Sequence, residues 1–354
     1  KKLFVVTSIL SLAFNCMAQA GGKNTFAFLD LKLTPIVSAL QGAVIAQPSA
    51  DPSVAVRNPA LINASMKNRL SMSYNNYLSD INYGNVSYAG QFKNTNVHGG
   101  ILYVNYGKFD GYDDAGQSTG TFTADDYAFY IGASKEIKPR LTVGSNFKYV
   151  YSQFYNNFAN GFAFDGGAHY QDTSGNTNLG LVVRSVGYVV KNYTAGVKER
   201  MPLRIELSYS KRLAHTPFRF NLLLHNLQQP NMRYIPQDGS VQNNSLDNNN
   251  NGAKQITFGD NILRHVTLGT ELLLGEFTHI RIGYDHQMRK ELSPSERKKL
   301  TGFAWGFGVQ LYKIHFNYAS SAFFPGITTN QFSAVFNISS FYTKKKKSDE
   351  ANEN

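Results

Sequence analysis

From Arg69 onward the apolar positions recur with a period of two. Leu203, Ile205, Leu207 and Tyr209 alternate with Arg204, Glu206, Ser208 and Ser210, which puts the two sets on opposite faces of an extended strand. The alternation returns in Phe218, Phe220, Leu222 and Leu224 against Arg219, Asn221, Leu223 and His225, and in Val266, Leu268, Leu272 and Leu274 against His265, Thr267, Gly269 and Glu271. It is clearest where Phe303, Trp305, Phe307, Val309 and Leu311 interleave with Gly302, Ala304, Gly306, Gly308 and Gln310. One face is continuous and apolar, the other polar or small.

Counting such segments predicts roughly fourteen strands of about 10 to 14 residues. They fall near 69–78, 81–92, 97–106, 122–134, 140–152, 161–170, 177–187, 202–211, 217–228, 264–274, 278–287, 300–311, 313–320 and 331–341. Globular strands usually run about 5 to 6 residues, whereas a tilted strand crossing a bilayer needs about 9 to 11. The gaps give a second test. Those after even-numbered strands are short (93–96, 135–139, 171–176, 212–216, 275–277 and a step near Tyr312), and those after odd-numbered strands long (107–121, 153–160, 188–201, 229–263 and 288–299). Only Ser79-Asp80 breaks the rule. A soluble sandwich or propeller requires neither long strands nor loops sorted by parity. The expected fold is therefore all-β: a transmembrane antiparallel β-barrel of about 14 strands over residues 68–342, with short periplasmic turns, longer outer loops and both termini in the periplasm. Closure pairs every backbone group, as hydrocarbon demands. Tyr74, Tyr77, Tyr83, Phe109, Tyr151, Phe154 and Tyr318 are expected in interfacial girdles. The parity switch between Tyr83 and Val86 predicts a bulge at Gly84-Asn85.

The stretch from Ile36 to Ile62 departs from period two. Ile36, Val37, Leu40 and Val44 share one face of a short helix entered through Pro35. Asp51-Pro52 and Asn58-Pro59 each read as an N-cap followed by proline at the first helical position. Residues 21–67 are expected to form a plug inside the barrel. Within the 229–263 gap the asparagine-rich 243–252 run is too polar to fold alone, and Phe258 to His265 reads as a short helix or lip.

Composition adds the compartment. Lys1-Lys2, the apolar run Leu3 to Phe14 and Met17-Ala18-Gln19-Ala20 before Gly21 form a secretory signal over residues 1–20. Cys16 is the single cysteine and leaves with that signal; as a lipoprotein terminus it is preceded by Ala13-Phe14-Asn15, which lacks the expected small residues. No later apolar run reaches the ~20 residues of a membrane helix. A content of 42% hydrophobic and 13% aromatic residues with a mean hydropathy of -0.31 suits strands with one apolar and one polar face. The net charge of +11 is dispersed apart from Lys344 to Lys347, in a basic and polar tail over residues 343–354. This argues against nucleic acid.

Candidate chemistry is sparse. The histidines at 98, 169, 215, 225, 265, 279, 286 and 315 are scattered, and no Gly-x-Ser-x-Gly elbow occurs. His279 and Asp285 lie too far apart along one strand to share a metal ion. The chain is expected to hold no catalytic, cofactor or metal site and to be no enzyme. The lumen face carries Lys148, Arg184, Arg204, Arg219 and Arg281 against Asp126, Asp165, Glu206, Glu271 and Asp285. These must pair or bond to the plug, which predicts a cross-braced, largely closed interior.

Two resemblances add to this reading. Ala43, the stretch from Ala46 to Asp51, and Arg57-Asn58-Pro59-Ala60-Leu61 resemble the N-terminal hatch of the long-chain fatty-acid transporter (FadL-like) barrels. Four stretches, 77–84, 105–109, 213–220 and 258–266, resemble in their joint order the PorQ-type outer-membrane barrels of the Bacteroidetes type IX secretion system. The second resemblance implies a non-enzymatic role in the attachment complex that matures cargo and joins it to lipopolysaccharide. The barrel would hold a PorZ-like surface protein, beside a PorU sortase and a PorV shuttle barrel. Its extracellular loops, 107–121, 188–201, 229–263 and 288–299 with Arg289, Lys290, Arg297, Lys298 and Lys299, would be the docking surface. The first resemblance alone implies a transporter of hydrophobic small molecules.

Overall fold

The computed structural model describes residues 25–194, 196, 199–232, 258–275, 277–292, 300–324 and 326–342. The signal at 1–20, the asparagine run and the tail at 343–354 lie outside them. Fourteen antiparallel strands form one closed barrel in sequence order: β1 Arg69–Asn76, β2 Asn82–Phe92, β3 Thr95–Tyr112, β4 Ser118–Lys138, β5 Leu141–Phe154, β6 Asn157–Gln171, β7 Thr177–Lys191, β8 Arg204–Arg212, β9 Phe218–Leu224, β10 Val266–Leu274, β11 Thr278–Asp285, β12 Phe303–Leu311, β13 Ile314–Phe324 and β14 Ile327–Asn337. The seam is an eight-pair ladder from Arg69↔Asn337 to Asn76↔Asn330. The short helices are α1 Pro35–Ala39, α2 Phe258–Arg264, α3 His286–Leu292 and α4 Ser339–Tyr342. Among the described residues no helix is long and apolar enough to cross a membrane.

Period two sorts the faces as the pattern requires. On β12 Phe303, Trp305 and Phe307 are exposed on the outer wall, while Ala304, Gly306 and Gly308 are buried inside. The outer band has lipid as its solvent, so its exposure carries no penalty there.

The barrel has a turn end, carrying the links after even-numbered strands, and a loop end. The expected sorting of link lengths holds only in part. β3 and β4 continue to Tyr112 and from Ser118, so the expected 107–121 loop is a hairpin whose Asp113 side chain accepts from the amides of Ala115 (3.0 Å) and Gln117 (2.8 Å). β5 runs to Phe154 and β6 starts at Asn157; β13 runs to Phe324 and β14 starts at Ile327. Past the lipid band both faces of a strand meet water, so the alternation fades while backbone pairing continues.

The expected bulge at Gly84-Asn85 is absent: β2 keeps continuous register with β1 and β3 through both residues. Tyr83 is simply an aromatic on the inner face, 2% exposed, so Tyr83 does not belong to a girdle. Tyr77 packs beside it at 5.8 Å between ring centroids, against the inner cluster. A real irregularity lies on β7. Phe164↔Val186 and Gly166↔Val183 are partners, so Arg184 and Ser185 together face Asp165. Ser185 takes φ 57, and both side chains turn inward.

Residues 25–68 run through the lumen once. Helix α1 touches β11, β12, β13 and β14, and the Pro59–Leu61 turn touches β4, β5 and β6 on the other side. The predicted helical face stops early, because Gln41 (φ 54) and Gly42 (φ 97) are left-handed. Both predicted caps form: Asp51 accepts from Ser53 N at 2.9 Å and Asn58 from Ala60 N at 3.0 Å. Thr25 bonds to Glu199 at the loop end, whereas Asn68 pairs beside the β1 and β14 ends. The described chain therefore begins at the loop end and finishes, at α4, at the turn end. The expectation of both termini on one side does not hold for the described residues, because the plug adds one pass to an even number of strands.

Candidate functional site: the lumen and its two ends

Inner-face side chains donate to the carbonyls that the plug cannot pair internally. Tyr83 OH bonds Lys32 O (3.1 Å), Ser73 Oγ bonds Leu33 O (2.8 Å), Asn146 Nδ2 bonds Ala55 O (3.1 Å) and Ser134 Oγ bonds Ile62 O (2.7 Å). On the β3–β7 side of the loop end Phe26 and Phe28 pack among Leu102, Val104, Ala128 and Val150. That burial contributes roughly 1.5–3 kcal/mol per aromatic side chain.

The charges cluster elsewhere. Arg184 reaches Glu206 (Nη2 to Oε1, 3.2 Å) and Asp30 (3.3 Å), and Arg204 closes on Asp30 at 2.7 Å. Arg57 of the plug bonds the same Glu206 at 3.1 Å, and Lys32 lies 3.5 Å from Asp285. Lys148 pairs with Asp165 at 2.6 Å, and Asp165 also accepts from Ser185 N at 2.8 Å, so the β7 bulge completes this pair. Asp126 accepts from Tyr106 OH (2.5 Å) and from Ser152. Near the turn end Glu271 accepts from Arg281 Nε (2.7 Å), Arg219 Nη1 (2.8 Å) and Gln47 Nε2 of the plug (2.9 Å).

All ten charges assigned to the lumen from the sequence carry such partners. The residues missed were on the plug: Asp30, Lys32, Gln47 and Arg57. Asp30 and Lys32 were visible as a charged pair flanking Leu31 in an otherwise apolar run, which marks a segment buried against charge.

The histidines serve this scaffold. His98 Nε2 lies 2.7 Å from Asn146 Oδ1, and His265 Nδ1 lies 2.9 Å from His225 O. His279 sits 3.5 Å from Glu271, far along β11 from Asp285. Among the described residues no three His, Cys, Asp or Glu side chains are placed to hold a metal ion.

At the loop end α2, anticipated at 258–265, is clasped to α3. Asp260 meets Arg264 (3.0 Å), His286 (3.3 Å) and Lys290 (3.2 Å), and Arg264 meets Glu291 at 3.5 Å. Partial burial raises the Asp260 pKa, but the hydrogen bonds from Arg264, Lys290 and His286 prevail and hold it at about 2. An unfolded aspartate titrates near ~3.9. The clasp's contribution is therefore complete above about pH 4 and is lost as pH falls through about 2. Solvent screening limits it to under about 1 kcal/mol. Hydrogen exchange at pH 5 and pH 2 should show α2 and α3 losing protection before the barrel strands; simultaneous loss would refute the clasp.

No protein-family model matches the sequence, and no curated protein matches it. Solved structures do. A variant of the monoaromatic hydrocarbon channel TodX superposes with a TM-score of 0.52 at 12% identity, covering 86% of this chain and 97% of that one. The toluene transporter TodX of Pseudomonas putida gives 0.50 at 12% identity, covering 86% and 97%. A Pseudomonas aeruginosa FadL homologue gives 0.46 at 10%, covering 86% and 98%. The fold is that of the TodX barrels. At such identities the likeness concerns the fold, and the channel and transport activities belong to those proteins.

Proposed function

We propose that this chain is a sealed outer-membrane barrel that anchors a surface protein, with the loop end outward, as a PorQ-type component of the type IX secretion attachment complex. The observation that carries the anchor reading is the lumen itself. The plug is bonded to the β8–β11 side of the wall by Arg57–Glu206, Gln47–Glu271 and Lys32–Asp285, and to the β2–β5 side by Tyr83–Lys32, Ser134–Ile62 and Asn146–Ala55. A barrel so braced suits a fixed platform better than a conduit.

The ordered stretches 77–84, 105–109, 213–220 and 258–266 support the secretion-system assignment, and with it a PorZ-like partner beside a PorU sortase and a PorV shuttle. The β3–β4 hairpin tip and the α2–α3 clasp, with Arg289 and Lys290, form the docking face in this reading. Residues 233–257 and 293–299 of these loops lie outside the described residues.

A second reading, passage of a hydrophobic small molecule, is supported by the TodX-like fold. It requires an apolar path, whereas the cavities at either end of the charged lumen are lined by arginines and carboxylates.

Affinity purification from the native membrane in mild detergent, paired with single-channel recording, separates the two. The anchor reading expects a surface protein in the eluate, no large stable conductance, and release of that protein into the medium when the 107–121, 188–201, 229–263 and 288–299 loops are shortened. Stoichiometric co-extraction of a hydrocarbon or fatty acid without a protein partner would favour transport.

A further inference from the structure

At the turn end a cavity of about 460 Å³ opens between the plug segment 47–51 and the inner wall. We propose that it binds a small soluble polyanion of the phosphate or polycarboxylate class.

The charge lining it is not balanced by the protein. Four arginines, Arg69, Arg212, Arg219 and Arg281, face two carboxylates, Asp51 and Glu271. Glu271 already accepts from both Arg219 and Arg281, and one negative charge cannot neutralise two guanidiniums. The His279 and His315 rings, 6.0 Å apart, add two more groups able to donate. Buried nitrogens stand open: Arg69 Nε and Arg219 Nε have no hydrogen-bond partner among the described residues. Leaving such donors unpaired is costly.

The loop-end cluster is the internal contrast. There Lys32, Arg57, Arg184 and Arg204 meet Asp30, Glu206 and Asp285 around a cavity of about 140 Å³, and the pairs close directly. The turn-end cavity is instead of the size of ordinary ligand sites, about 300–1,000 Å³, with guanidinium forks that match phosphate and carboxylate oxygens. Because the barrel wall stands between it and lipid, the ligand comes from solution. Pro48, Ser49 and Ala50 of the plug line the same space, so an anion there would bridge plug and wall. The proposal stands whether or not the barrel is an anchor.

Calorimetric titration of the purified full chain in detergent, at fixed ionic strength in chloride buffer, tests it with pyrophosphate and with citrate. Binding of one equivalent of either is expected, and whichever binds more tightly identifies the source as phosphate or carboxylate. Arg212→Gln, at an exposed strand end, and Arg69→Gln should each weaken binding about tenfold or more, whereas Lys108→Gln, exposed on β3, should not. Arg212→Gln leaves the Glu271 pairs intact and so keeps the test valid if Arg69→Gln folds poorly. Failure of both anions to bind over chloride, or binding indifferent to both arginine substitutions, overturns the proposal.

Discussion

Replacing Glu206 with alanine is expected to destabilise the folded barrel by about 3–5 kcal/mol. Glu206 is 3% exposed and accepts from Arg57 on the plug and Arg184 on β7, themselves 6% and 1% exposed. Its removal strands the Arg57 guanidinium in a water-poor lumen, while Arg184 keeps Asp30 and the Leu29 carbonyl. Breaking one side of a buried pair costs far more than the intact pair is worth, since the remaining charge loses its counterion without regaining water. The urea midpoint, followed through the single Trp305 on the outer face of β12, reports the loss. Arg57→Leu combined with Glu206→Gln should recover part of it by removing one orphaned cation. An unchanged midpoint for Glu206→Ala would mean that the network braces nothing.

A larger change in behaviour is expected from Gly144→Val and Gly283→Val together. A Cβ at Gly144 would lie 2.5 Å from the carbonyl carbon of Pro59, and one at Gly283 would lie 2.6 Å from Ala39 O. The glycines lie on β5 and β11 and both obstacles are plug backbone, so neither collision is relieved by a side-chain rotation. Overpacking costs about 1–3 kcal/mol per site, and the cheapest relief is for the plug to leave its seat. The variant should therefore conduct ions where the parent does not, and its 36–62 segment should become open to protease. A silent variant of normal stability would show that the plug shifts without unsealing the lumen.

Much of this was legible in the sequence, for a physical reason. Each strand borders lipid on one face, so Phe303, Trp305 and Phe307 had to alternate with small inner residues, and the strand count followed. The lumen charges were legible because a polar residue on the inner face has nowhere else to point. What escaped was structure without a lipid face. The tip of the β3–β4 hairpin is wet on both sides, and Tyr83 looked like a girdle residue because nothing in period two distinguishes an aromatic facing lipid from one bonded to the plug carbonyl of Lys32. The β7 bulge was hidden because a single extra residue in Val183-Arg184-Ser185-Val186 reads as noise until Asp165 is known to sit opposite. The turn-end arginines, Arg69, Arg212, Arg219 and Arg281, come from four separate strands, and only closure of the barrel brings them together.

The single pass of residues 25–68 through the lumen also constrains how the molecule can be made. The segment emerges first from synthesis, yet it ends up enclosed by walls that touch it on opposite sides. A finished cylinder could not admit it past the Arg57 and Gly144 contacts, so the seam between β1 and β14 must close around a segment already in place. Ring closure across the whole sequence is a long-range and slow event, and the early segment acts as a mandrel on which the wall is gauged. Errors in that segment should accordingly surface as failed assembly at the membrane, earlier than any loss of whatever the finished barrel does.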